Sequence, residues 1–135
     1  MTFKDRKEKL AEACLLLAKD IDNKKGQIKK LGKLVCFKEN GAPCCAVGHV
    51  VQRAGMARNL GKFKGITFDG KKGAVWWDGL ETVAKAMGVS QSKVPTPVCD
   101  ALDSVQIAND TKNGDTRRML VAAALTELAR VIKAW

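Results

Sequence analysis

The sequence predicts a helix-dominated α+β fold, about five helices with a small β-hairpin or strand pair. Three observations carry that expectation. Apolar residues recur at helical spacing in long segments at both ends of the chain. Turn signals and helix starts punctuate the middle. Hydrophobic residues make up 46% and charged residues 28%, a balance that supports a buried core. At 135 residues the chain has the length of a single domain spanning 1–135.

The first helix is expected over residues 4–24. Leu10, Cys14, Leu17, Ala18 and Ile21 form its apolar stripe, with Phe3 one heptad before Leu10. Cys14 falls in that stripe, which points to burial rather than reactivity. Leu34, Val35, Cys36 and Phe37 suggest a short strand over 33–38, followed by the turn Glu39-Asn40-Gly41. Pro43 suits the first position of a second helix, which would place Cys44 and Cys45 in its first turn and end near Gly55. Gly48 on the inner face would let another helix approach closely. Ile66-Thr67-Phe68, Asp69-Gly70 and Ala74-Val75-Trp76-Trp77 suggest a small hairpin or a long loop.

Asp78 to Glu81 reads as a capping box opening a third helix, with Leu80, Val83, Ala84 and Met87 inward and Gly88 at its end. Residues 89–95 read as a polar linker. Thr96-Pro97 starts a fourth helix with Val98, Ala101, Leu102 and Val105 as its stripe. After the polar turn 109–115, Asp115 or Thr116 caps the last helix. Its seam is Val121, Leu125, Leu128, Ile132 and Trp135, widened by Leu120, Ala124 and Val131.

Charge is the most informative global property. The net charge is +10, and residues 1–72 hold 17 Lys or Arg against 7 Asp or Glu, so the whole excess lies in the front half. Segregation of this kind suggests an anionic partner: nucleic acid, a nucleotide or an acidic protein. The candidate anion-binding residues are Lys24, Lys25, Lys29, Lys30, Lys33, Lys38, Arg53, Arg58, Lys62, Lys64, Lys71 and Lys72. Trp76 and Trp77 lie beside them and could stack on bases. No phosphate-binding loop or known nucleic-acid signature is present, and no cofactor is implied.

Five cysteines without Cys-x-x-Cys spacing suggest free thiols in a reducing, cytoplasmic setting. No apolar run reaches the length of about 18 residues that a membrane span needs, and Glu12, Lys19 and Asp20 interrupt the one that resembles a signal segment. Cys45 and His49, four residues apart at a helix start, form a candidate nucleophile and base, with Asn109 or Asp110 to orient the imidazole. Buried packing and backbone capping are the competing explanation for these residues, and the reading favours binding over catalysis. Cys36, Cys44 or Cys45, and His49 are chemically suited to zinc, but their spacing fits no common site and a fourth ligand is missing, so no metal is expected.

Gly41-Ala-Pro-Cys44 or Cys45-Ala46-Val47-Gly48 resembles a Gly-x-x-Cys-Ala-x-Gly helix start. Ile107-Ala108-Asn109-Asp110, followed by Thr116 and Leu120, resembles an Asn-Asp pair before a final helix. Together they are similar to a small uncharacterised domain family of actinobacterial and bacteriophage proteins. The family places a small residue after the second glycine, where this chain has His49. The resemblance implies a compact helical domain, phage- or mobile-element-encoded, and brings no biochemical activity with it.

Overall fold

The computed structural model describes residues 1–23, 27–32, 36–38, 42–60, 74–75, 79–112 and 114–135. Five α-helices dominate it: α1 (Phe3–Asn23), α2 (Ala46–Arg53), α3 (Gly79–Met87), α4 (Thr96–Asn109) and α5 (Gly114–Lys133). Short 3-10 turns lie at Ile28–Lys30, Ala57–Leu60 and Gln91–Lys93. Two strands of two residues each, β1 (Phe37–Lys38) and β2 (Ala74–Val75), pair antiparallel with Phe37 opposite Val75. The hairpin expected around Asp69-Gly70 and Trp76-Trp77 lies outside the described residues.

The long helices α1 and α5 pack along each other, and α4 packs on α5. Leu10, Cys14, Leu17 and Ile21 of α1 are fully buried, as are Val121, Leu125 and Ile132 of α5. The expected stripes therefore face each other. At the far end of the pair, the Phe3 and Trp135 rings meet edge to face at 5.3 Å. The Lys7 Nζ donates to the terminal Trp135 carbonyl nearby. The start of α1 is held by a reciprocal box that the stripe alone does not reveal. Thr2 Oγ1 accepts from the Asp5 N–H at 3.1 Å, and an Asp5 carboxylate oxygen accepts from the Thr2 N–H at 3.3 Å. That hydrogen bonding holds the Asp5 carboxyl below the usual carboxylate range.

Several expectations are corrected. The second helix begins at Ala46, with Cys45 in an extended conformation (φ −76°, ψ 172°) as its N-cap. Pro43 sits in a β-bridge with Phe37 instead of opening the helix. Cys44 and Cys45 thus precede the first turn. A chain already tied laterally to β1 cannot also begin to coil at the bridging residue. The last helix starts at Gly114, so Asp115 lies in its first turn rather than at its cap. The spacing predicts that Leu120 widens the core stripe, but it is 45% exposed. It falls just outside the arc that α1 and α4 cover, whereas the next residue, Val121, is buried.

Candidate functional site

The chemically unusual side chains meet where β1, the start of α2, α3 and α4 come together. Close approach makes this possible. A Cβ added to Gly48 would lie 1.9 Å from the Cys36 carbonyl oxygen, so only glycine lets α2 seat against residue 36. The expected close approach is real, but the partner is the backbone entering β1, not another helix. The Cys44 N–H donates to the Cys36 carbonyl at 2.8 Å, and the Gly32 N–H donates to the Cys44 carbonyl at 2.7 Å. The segments before α2 are thereby pinned on both sides.

Asn109, fully buried, completes the pinning. Its Oδ1 accepts from the Ala46 N–H at 3.2 Å, and its Nδ2 donates to the Gly32 carbonyl at 2.8 Å. The first N–H of a helix has no intrahelical acceptor. Cys45 offers no cap oxygen, so α4 supplies one from across the fold. Asn109 is thus a structural cap acting over long range. Its neighbour Asp110 is exposed, and its Oδ1 accepts a long contact of 3.5 Å from Asn109.

Cys36 and Cys45 are both 1% exposed, and their sulfurs lie 2.9 Å apart, sharing one hydrogen bond. The Gln106 amide Nε2 is 3.8 Å from each sulfur. The N–H groups of Val47 and Gly48, at the positive end of α2, lie near the Cys45 sulfur, although they do not meet capping geometry. The hydrogen bond shared with Cys36 is the largest influence holding the Cys45 thiol below its ordinary value, against its burial. Cys36 is pushed the other way, first by that hydrogen bond to Cys45 and then by burial. Of the two thiols, Cys45 is therefore the one that gives up its proton more readily. The Thr82 hydroxyl is fully buried and lies close enough to favour charge on the Cys36 sulfur, yet among the described residues it has no hydrogen-bond partner of normal geometry.

The other cysteines are placed differently. Cys14 lies in the α1–α5 core, where burial pushes its thiol up to about 12. The Cys44 side chain faces Gly32, away from the pair, as neighbouring residues of an extended segment do. Cys99 is partly buried against the Val94 carbonyl.

His49 and Cys45 are not joined by a side-chain hydrogen bond. The imidazole bonds to the Lys30 backbone, and its Nε2 is buried without a partner among the described residues. Burial is the main cause that lowers its affinity for a proton, with the positive charges of Arg53 and Lys30 adding to it. The structure thus brings Cys45 to Cys36, and His49 to Lys30 and Arg53. Sequence reasoning names Cys36 only as a metal ligand and misses Gln106 and Thr82. Gln106 lies one turn before Asn109 on an otherwise apolar face, the signal that could have found it. Among the described residues no three His, Cys, Asp or Glu side chains converge to hold a metal.

Of the expected anion-binding residues, Lys29, Lys30 and Arg58 are exposed, and Arg53 pairs with Asp20 at 2.7 Å. Arg53 also lines a cleft of about 300 Å³ with Lys9, Glu12 and Leu16. Lys38 lies in β1. Lys24, Lys25, Lys33, Lys62, Lys64, Lys71, Lys72, Trp76 and Trp77 lie outside the described residues. No described helix is long and apolar enough to cross a membrane. Comparison with protein-family models, with curated proteins and with solved structures finds no match to this chain.

Proposed function

We propose that this is a small basic binding protein that acts on an anionic partner, a nucleic acid or nucleotide in the first instance. The observation that carries the reading is unneutralised charge. The whole excess of +10 lies in residues 1–72, and among the described residues of that half one salt bridge, Arg53–Asp20, is formed. Lys29, Lys30 and Arg58 stand exposed and form no salt bridge among the described residues. Lys30 and Arg53, from separate elements, approach closely enough to suppress charge on His49. Cations in excess over their counter-charges attract phosphate and release its counterions.

The test is a fluorescence-anisotropy titration of labelled DNA, RNA and nucleotides at several salt concentrations. Binding should weaken steeply with salt, and the double variant K29E/K30E should reduce the salt slope by about one for each phosphate that is no longer neutralised. Absence of binding at low ionic strength would remove the nucleic-acid and nucleotide versions. An acidic host protein would then be the partner, captured from nuclease-treated bacterial lysate by the wild type and not by K29E/K30E. The motif resemblance supports a phage or mobile-element origin, which would place the protein in a bacterial host cytoplasm, where it could inhibit a host or defence enzyme.

A second reading, a Cys45-dependent hydrolase or transferase, is favoured by the thiolate environment of Cys45 alone. His49, bonded to Lys30, and the exposed Asp110 lend it no geometry. Slow, uniform alkylation of every cysteine at neutral pH counts against it.

A further inference from the structure

We propose that Cys36 and Cys45 are a site of reversible oxidation, a paired dithiol that a hydroperoxide converts into an intramolecular disulfide. Four features of the fold support this. The sulfurs lie 2.9 Å apart, so only a small side-chain adjustment separates the pair from a bond. The two backbones are locked together by the Gly48 contact on the Cys36 carbonyl and by the Cys44 N–H bonded to that same carbonyl. Cys45 is held at the start of an eight-residue helix, with the Gln106 amide within reach of both sulfurs. Finally, both thiols are buried. A small oxidant fits such a place better than a bulky one, and overoxidation is disfavoured because the resolving thiol is already in contact.

The chemistry balances with hydrogen peroxide as the oxidant. The Cys45 thiolate attacks one peroxide oxygen. An S–O bond forms, the O–O bond breaks, and hydroxide leaves to take up the proton that Cys45 had given to solvent, as the first water. The Cys36 sulfur then attacks the sulfur of the Cys45 sulfenic acid. The S–S bond forms, the S–O bond breaks, and the departing hydroxide takes the Cys36 proton as the second water. Two thiols are oxidised and one peroxide is reduced to two waters. A dithiol reductant reverses the bond.

The other cysteines act as internal controls. Cys44 faces Gly32, Cys14 is in the helical core, and Cys99 bonds to Val94. The proposal is independent of anion binding, and either can fail without the other.

The experiment uses the full chain as wild type and as Cys44→Ser. Each is treated with hydrogen peroxide, denatured, blocked with N-ethylmaleimide and weighed intact, before and after dithiothreitol. Two of the five thiols of the wild type, and two of the four of Cys44→Ser, should be lost to labelling, with a mass lower by two hydrogens, and both should return on reduction. Trypsin cleaves after Lys38 and Arg53, so the bond should join the peptide holding Cys36 to the peptide holding Cys44 and Cys45. Retention of that bond in Cys44→Ser assigns it to Cys45. All five thiols remaining free, a bond lost in Cys44→Ser, or Cys45 accumulating as sulfinic acid without a bond would each overturn the proposal. The outcome does not depend on whether a Cys36 variant folds.

Discussion

Asn109 shows how much one side chain can hold. It serves a helix N-terminus and a loop carbonyl at once, from a position with no exposure to solvent. Asn109→Ala strands the Ala46 N–H and the Gly32 carbonyl together. Leaving a buried polar group unsatisfied costs about 1–3 kcal/mol, so the variant, which strands two, should lose about 2–6 kcal/mol. Urea denaturation measures this directly, and a loss under about 1 kcal/mol would mean that water reaches both groups. His49 makes a separate prediction, for pH. Burial, Arg53 and Lys30 hold its folded-state affinity for protons below the ordinary value of 6.5, so the unfolded chain protonates first. Stability from this residue is complete above that value and is lost as pH falls from it towards the folded value. Tm should therefore fall between about pH 7 and 5.5, before the carboxylates titrate, and H49Q should flatten that slope. An unchanged slope in H49Q would show that other groups carry it.

At the scale of elements, regular spacing and several helix ends, Thr96 opening α4 and Gly88 closing α3 among them, are legible in the sequence, and the start of α2 is not. The stripes of α1, α3, α4 and α5 follow from the 3.6-residue period, because burial of one face dominates over any local preference. The start of α2 is decided by partners remote in sequence. α2 begins where Asn109 caps it and where β1 releases Pro43, and neither contact is visible locally. The arginines make the same point. Arg6 donates to the Met87 carbonyl ending α3, Arg117 to the Asn109 carbonyl ending α4, and Arg118 to the Asp22 carbonyl near the end of α1. Arg117 also reaches the Ile28 and Leu31 carbonyls, which uses the fork of its guanidinium. A count of charges does not separate these from free cations. The i, i+4 spacing suggests a Cys45–His49 pair, but which way each side chain turns is set by β1 and by the 3-10 turn at Lys30. Leu120 and Leu125 test the packing account of α5. Leu125→Ala should cost about 2–5 kcal/mol, whereas Leu120→Ala should stay within about 0.5 kcal/mol. Equal losses in denaturant would require Leu120 to be covered by a part of the chain or by a second copy.

For the whole molecule, the sequence pI of about 9.6 and net charge of +10 predict a fold that repels itself. Raising monovalent salt from about 0.01 M to about 0.15 M shortens the Debye length from about 30 Å to about 8 Å. Tm should rise over that range as like charges are screened. A polyanion such as tripolyphosphate, which would bind the folded cationic surface, should raise Tm at low salt in proportion to the logarithm of its concentration above Kd. The two effects must oppose each other. Salt that relieves the repulsion also competes with the polyanion, so its gain should shrink as monovalent salt increases. A Tm indifferent to both would mean that the front-half cations are dispersed or already neutralised, and the proposed binding surface would then have no physical basis. A rise with salt but none with polyanion would leave the charges close together yet too poorly arranged to hold phosphate.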